Sequence, residues 1–436
     1  MTPERAALNI LLNVTREGAY LNLALKDGLS DVRTEDVGRT SRLVYTAVEN
    51  LSYCDFLIEN YAKGRLHSSI KCILRLALTE LFFMDVPDHA ACSRAVNLTE
   101  EIGKSKLKGF VNGVLRAIVR DKNLDDLPRL PDDCTKRFEI LYGYPDFMIN
   151  EYLRRFGAEF TEEMLKAKLT DVTVRPVYPN TADELIELLR DGGLETDRGE
   201  LLSDSIVIKG LHESLSDNSL FREGKFTVQS ESAMLACVCL EPRKGMRVLD
   251  ACSAPGGKAA FISDLMEREG EVTAWDIHPH RVELIKSTMK RLGVTNVFAE
   301  VRDAAVSCPE LNESFDRVMC DVPCSGLAGG KRPDARLRRT DESISELSML
   351  QYKILCTCAE YLKPDGVLVY STCTVSEREN ERNVERFLKE HGQFRLDSIS
   401  AFLPEGMKER GKEGSLQLFP NIDGTDGFFI ARFRRK

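Results

Sequence analysis

No apolar run in this chain approaches the roughly 18 residues needed to span a bilayer. Its start, Met1-Thr2-Pro3-Glu4-Arg5, lacks the charged and apolar regions of a secretory leader. Internal repeats and long low-complexity tracts are missing, which leaves no sign of a repeat array. The dinucleotide pattern G-x-G-x-x-G is absent as well, and this lowers a dehydrogenase reading. No cysteine pair shows C-x-x-C spacing; Cys320 and Cys324 are close, as are Cys237 and Cys239, but zinc is a weak reading of them. Positive charge is also short: 60 Lys and Arg against 69 Asp and Glu leave a formal charge of −9. That balance argues against nucleic-acid binding through the overall field, though not against a local basic face.

What is present is a chain of 436 residues, 43% hydrophobic and 30% charged, enough for two or three domains with sizeable cores. Thirteen cysteines, an odd number, are scattered through apolar segments such as those around Cys72 and Cys356. That usage suits free thiols in a reducing cytoplasm better than a disulfide framework.

The first 126 residues read as helices. Ala6, Leu8, Ile10, Leu11, Leu12 and Val14 recur with helical spacing, and Ile70, Ile73, Leu74, Leu76, Ala77, Leu78, Leu81 and Phe82 form a strongly apolar helix. Residues 125–133, rich in proline and acid, read as a linker. From 134 to 226 the pattern is mixed, with helices over 145–156 and 182–189 and strands over 173–177 and 205–208, which makes a small α+β unit. From 227 to 436 short apolar runs alternate with helices: 247–251, 272–276, 297–301, 317–321 and 366–371 all read as strands. Such alternation predicts a doubly wound parallel sheet of Rossmann-like character.

Val248-Leu249-Asp250-Ala251-Cys252-Ser253-Ala254-Pro255-Gly256-Gly257-Lys258 is a strand, a turn of small residues and a helix start. Glycines there let backbone amides approach a ligand, and a helix N-terminus favours a carboxylate or phosphate. Asp276 ends the next strand, where an acid can accept both ribose hydroxyls, and Asp303 ends the third, within reach of an adenine edge. A ribose acid without a pyrophosphate loop suits S-adenosylmethionine better than a dinucleotide. A purely structural turn would look similar.

Two cysteines carry the chemistry. Cys324 sits in Asp321-Val322-Pro323-Cys324-Ser325-Gly326 and Cys373 in Tyr370-Ser371-Thr372-Cys373-Thr374, both just past strands. Open α/β sheets place ligands at those strand ends. A thiolate there can add to the electron-poor ring of a pyrimidine, and a second thiol could help undo the addition. Ser376 and Glu379 have capping-box spacing, which predicts a helix N-terminus just beyond Cys373 and a lowered thiol pKa. Asp321 can hydrogen-bond the nitrogen edge of a cytosine and offset the charge that develops on addition. Set against this, an isolated strand-end cysteine is commonly buried and inert. After Cys324, Lys331, Arg332, Arg336, Arg338 and Arg339 crowd one segment with a single acid, Asp334. A solvated loop is the bland reading; next to a reactive cysteine, phosphate contact is the better one.

Taken together, D-x-P-C-S-G, a basic P-D segment, S-T-C and the cofactor residues resemble those of the RNA cytosine-5 methyltransferases. Arg5 to Leu25 and Gly109-Phe110-Val111-Asn112-Gly113-Val114-Leu115-Arg116 resemble the RNA-binding NusB domain. The fusion is similar to the Sun/Fmu-type small-subunit ribosomal RNA methyltransferases B, over essentially the whole chain. The run Gly326 to Asp334 is one residue shorter and less basic than is usual in them, and Gly113 stands in place of a commoner alanine. The resemblance implies that Cys373 attacks carbon 6 and Cys324 assists product release. It also implies cofactor contacts at Cys252, Ser253, Ala254, Pro255, Gly256, Gly257, Lys258, Asp276, Asp303 and Asp321.

The expectation is therefore a three-part chain: a NusB-like helical RNA-binding domain over 1–126, an α+β subdomain over 134–226 and a methyltransferase domain over 227–436. It would act as a cytoplasmic monomer on small-subunit ribosomal RNA, with S-adenosylmethionine and without metal or membrane. Methylation of transfer RNA or DNA by the same chemistry is the nearest alternative. A non-catalytic RNA-binding or transcription factor is the alternative of another class.

Overall fold

The computed structural model describes all residues except Thr170, 212–214 and 328–332; of Ser216 only the backbone is described. Two compact units emerge: Met1–Lys166 with residues 333–339, and the described residues of 167–327 with Thr340–Lys436. No helix among the described residues is long and apolar enough to cross a membrane.

The first unit is helical: Pro3–Thr15, Leu21–Gly28, Thr34–Glu49, Leu51–Tyr61, Ser68–Phe83, Asp88–Glu101 and Lys108–Asn123, then Cys134–Tyr142, Asp146–Phe156 and Ala158–Lys166. Thr2 caps the first helix by accepting from the Arg5 amide, and Pro3 suits its first turn. Helix Ser68–Phe83 is buried on most of its circumference, so it forms the centre against which the amphipathic helices lay their apolar stripes. Its one buried guanidinium, Arg75, is satisfied by a bidentate pair with Asp55, both bonds at 2.7 Å. Helices over 134–166, grouped by sequence with the strands that follow, instead belong to this unit, because Cys134–Tyr142 packs along Leu51–Tyr61.

In the second unit, β1 (Val172–Pro176), β2 (Thr196–Arg198), β3 (Ile206–Ile208) and β4 (Phe226–Val228) form an antiparallel sheet in the order β2-β3-β1-β4. It is backed by helix Ala182–Asp191, which opens with a Thr181–Glu184 capping box. Next come β5 (Arg247–Asp250), β6 (Glu271–Asp276), β7 (Val297–Val301), β8 (Phe315–Asp321), β9 (Leu362–Thr372), β10 (Phe394–Leu396), β11 (Ser415–Leu418) and β12 (Phe428–Arg435). They make one sheet in the order β10-β12-β9-β8-β5-β6-β7, with β11 also on β12. Strands β5 to β9 are parallel, and near-continuous Val, Leu and Ala runs such as Val248-Leu249 fit their burial on both faces. The sheet is mixed, not wholly parallel as alternation implied: β12 runs antiparallel to β9 and carries β10 and β11 as antiparallel partners.

Gly113 lies exposed within helix Lys108–Asn123, and a Cβ built there meets nothing within 4 Å. Gly113→Ala is therefore expected to stabilise the helical unit by about 0.5–1 kcal/mol. Leu78→Ala, at a fully buried position, is expected to cost about 2–5 kcal/mol. Hydrogen exchange of this unit's own amides under mild denaturant reads both; no gain at Gly113 would mean that the residue is needed as glycine for contact.

Candidate active site

Strands β8 and β9 are paired in parallel with Cys320 opposite Tyr370 and Asp321 opposite Ser371. The pairing continues one step as the Val322 amide donates to the Ser371 carbonyl at 3.1 Å. The two chains therefore leave the sheet side by side. Cys324 lies three residues past one strand and Cys373 one residue past the other, and their sulfurs come within 2.7 Å. The Cys373 backbone N–H also donates to Cys324 Sγ at 3.2 Å. Cys373 is exposed and Cys324 half-buried, so the former is the more accessible thiol. The Cys324 thiol is pushed well up by its hydrogen bond with Cys373, by burial and by the charge of Glu379.

The capping box expected beyond Cys373 does not form. Helix Glu381–Glu390 begins later with Asn380 at its N-cap, and the Ser376 hydroxyl is buried without a hydrogen-bond partner. The Glu379 carboxylate turns to the Cys324 loop instead, accepting from the Ser325 amide at 2.9 Å and the Ser325 hydroxyl at 2.6 Å. Helix-dipole activation of Cys373 thus loses its structural basis.

Asp321, at the end of β8, accepts from the Ser371 hydroxyl at 2.7 Å and pairs with Lys258 Nζ at 2.8 Å. Burial opposes the Lys258 charge, but Asp321, and after it Cys237 and Asp250, outweigh it and hold the ammonium above its ordinary range. Lys258, read from sequence as part of the cofactor turn, is thus spent on an acid of the neighbouring strand.

The turn itself is rigid. Gly256 has φ +101° and precedes helix Gly257–Leu265; a Cβ there would stand 3.0 Å from Met289 Cε and 3.3 Å from Ile285 Cα. At Gly257, by contrast, a Cβ would meet nothing within 4 Å, so the helix start opens onto free space. Arg281 and Thr288 pin the turn by donating to the Ala254 and Pro255 carbonyls at 3.1 and 2.8 Å. Asp276, almost fully buried at the end of β6, accepts from the His278 amide at 3.0 Å and pairs with Arg281 at 3.1 Å. Asp303 uses one oxygen on the Ala305 amide at 2.9 Å. Cys252, half-buried, packs against the core on the other side of the turn.

One residue of this region escaped the sequence reading. Asp250 ends β5 fully buried, and neither of its carboxylate oxygens meets a well-aligned donor; the Ser253 hydroxyl beside it is likewise without a partner. Burial pushes Asp250 up to about 7, against the pull of Ser253 and Lys258. The signal was available: Asp250, Asp276 and Asp321 are all acids at the ends of parallel strands. Orphaned polar groups beside an open helix start fit a ligand that carries its own donors and a positive charge. No group of three or more His, Cys, Asp or Glu among the described residues is placed to hold a metal ion.

The basic segment is split. Lys331 and Arg332 lie outside the described residues. Arg336 donates to the Tyr142 carbonyl at 2.7 Å and stacks 4.2 Å over the Tyr144 ring; Arg338 stacks 4.0 Å over Tyr20 and bonds the Ala19 carbonyl. Asp334 accepts from the Leu21 amide at 3.2 Å. These two arginines attach the segment to the helical unit, and Arg339 follows as its last residue.

Asp250 supplies a pH test. Its folded form takes up a proton at higher pH than the unfolded chain does, so its contribution to stability falls as pH rises between about 4 and 7. Asp250→Asn is expected to gain on the parent chain across that window, by up to about 4 kcal/mol. Thermal unfolding at about pH 4.5 and about pH 7.5 checks it; a difference that does not change with pH would mean Asp250 stays ionised.

The 16S rRNA methyltransferase RsmB/F family model matches residues 237–434, and the NusB family model residues 1–120. A Bacillus subtilis protein described as a "probable" ribosomal RNA small subunit methyltransferase B is 34% identical over 99% of this chain and 98% of its own length. The ribosomal RNA small subunit methyltransferase B of Photorhabdus laumondii is 30% identical, covering 84% of this chain and 82% of itself. The crystal structure of PH0851 superposes with a TM-score of 0.81 at 25% identity, over 100% of this chain and 99% of that one. With a NusB helical domain followed by a Rossmann-like domain whose thiols meet at two strand ends, this chain belongs to the RsmB/F family of 16S ribosomal RNA methyltransferases.

Proposed function

We propose that this chain methylates carbon 5 of a cytosine in small-subunit ribosomal RNA, using S-adenosylmethionine and a covalent bond between Cys373 and the base. The observation that carries the reading is the 2.7 Å approach of the Cys324 and Cys373 sulfurs beside the Lys258–Asp321 pair. An unactivated cytosine carbon is a poor nucleophile. Addition of the exposed Cys373 thiolate to carbon 6 makes carbon 5 electron-rich. Asp321 meets the nitrogen edge of the ring, and Lys258 beside it supplies positive charge against the charge that builds up there. Cys324, having first lost its own proton to solvent, then takes the carbon 5 proton; the electron pair of that C–H bond re-forms the 5,6 double bond, the Cys373–carbon 6 bond breaks and Cys373 leaves as thiolate.

Bound S-adenosylmethionine supplies an electrophilic methyl group. Asp250, Ser253, the amides at Gly256 and Gly257, Asp276 and Asp303 would hold it, and the orphaned Asp250 and Ser253 groups match its amine and carboxylate chemistry. The target base must leave its stack, which costs a few kcal/mol and least in a single-stranded loop. RNA would be gathered by the NusB-like region 1–126 and the segment 331–339. In that segment Arg336 and Arg338 act chiefly as anchors.

Bisulfite mapping of small-subunit RNA incubated with the protein and S-adenosylmethionine is expected to show one protected cytosine. Cys373→Ala is expected to abolish methylation and form no covalent RNA species. Cys324→Ala is expected to leave addition intact and accumulate a slow band on a denaturing gel. An adduct in Cys373→Ala but not in Cys324→Ala would reverse the two roles. Wild-type turnover in both would end the covalent reading. Asp276→Ala is expected to weaken S-adenosylmethionine binding by calorimetry; unchanged affinity would remove Asp276 from the site.

A further inference from the structure

Glu379 is fully buried and lies six residues past Cys373, in the loop between β9 and helix Glu381–Glu390, yet its carboxylate points to the other thiol's turn. Its Oε2 accepts from the Ser325 amide at 2.9 Å and from Gln351 Nε2 at 2.8 Å; its Oε1 accepts from the Ser325 hydroxyl at 2.6 Å. Gln351, also fully buried, donates in addition to the Pro323 carbonyl at 2.9 Å. Residues on both sides of Cys324 are thereby tied to one carboxylate. That carboxylate is in turn fixed to the Cys373 strand, since the Tyr370 hydroxyl donates to the Glu379 carbonyl at 2.5 Å. A second bond joins the same loops: the Ser325 hydroxyl meets Thr374 Oγ1 at 2.9 Å.

We propose that Glu379 is a positioning residue for release of the enzyme from its product, clamping the Pro323–Ser325 turn so that Cys324 stays against Cys373. The inference rests on the reading of Cys324 as the release thiol. Burying a carboxylate is costly unless its lone pairs are filled. Here they are filled largely by the turn that carries Cys324, so the cost is recovered only when that turn is in place. Glu379 therefore makes the turn a part of the Cys373 loop. Its negative charge acts on the same thiol: Cys373 and Glu379 are the two groups that push Cys324 up besides burial. A residue that touches neither base nor cofactor should change the rate of release and leave substrate affinity alone.

The test uses the full chain with Glu379→Gln, and reads Cys324 alkylation by iodoacetamide against pH in a Cys373→Ala background, with peptide mass spectrometry to report that site alone. With Cys373 removed, Glu379 is, among the described residues, the charged group that raises the Cys324 thiol. The expected result is a midpoint lowered by about one pH unit or more. In the chain with both thiols, kcat is expected to fall on the order of 100-fold, with KM for RNA and S-adenosylmethionine unchanged and adduct persisting. A folded Glu379→Gln protein with the parent's alkylation profile and turnover overturns the proposal. Where Glu379→Gln does not fold, Ser325→Ala decides by turnover: a lower kcat at constant KM supports the clamp, and an unchanged kcat overturns it. Cys324→Ala, run alongside, separates the two claims. If it traps no adduct, Cys324 is not the release thiol, whereas the alkylation profile needs no RNA and judges Glu379 independently.

Discussion

The parallel pairing of β8 with β9 is the constraint on which the site depends. Register Asp321 to Ser371 brings two chain segments out of the sheet at one level, so two thiols 49 residues apart in sequence meet at 2.7 Å. A one-residue slip of either strand would reverse its faces and pull Tyr370 or Cys320 out of the core, both of which are fully buried. The register is therefore set by packing behind the site, and the reactive geometry follows from it. Hydrogen bonds on the loops refine what the sheet has already placed.

Charge in this region is arranged around cations. Asp250, Asp276 and Asp321 all end parallel strands, and Lys258 and Arg281 are turned inward to two of them. Asp250 is left without a well-aligned donor and rises to about 7. Such a row is poorly suited to a pyrophosphate and well suited to a ligand carrying positive charge. Affinity for the phosphates of RNA must come from elsewhere on the chain, in keeping with its net charge of −9.

Much of this was legible in the sequence, because the informative signals are local. Short Val- and Leu-rich runs marked the parallel strands, and the two cysteine motifs stood directly after two of them. What escaped has a common cause, namely contacts distant in sequence. Ser376 and Glu379 have capping-box spacing, but Glu379 finds a better set of donors at Ser325, 54 residues away. The arginines at 336 and 338 look like a phosphate patch, yet local charge cannot distinguish a phosphate from the faces of Tyr144 and Tyr20. Nothing in the sequence of Phe428–Arg435 says that it runs antiparallel to β9. The helices over 134–166 are joined to the first unit by packing alone, which composition does not show.

The central claim is that Cys373 forms the bond to the base and Cys324 does not. The most direct measurement is peptide mass spectrometry of the unsubstituted protein after reaction with S-adenosylmethionine and an RNA whose target residue is 5-fluorocytidine. Fluorine at carbon 5 cannot leave as a proton does, so the reaction halts after methyl transfer with enzyme still attached. The expected result is a methylated nucleotide linked to the peptide containing Cys373. A link at Cys324, or no covalent species while the ordinary cytidine RNA is methylated, would contradict it.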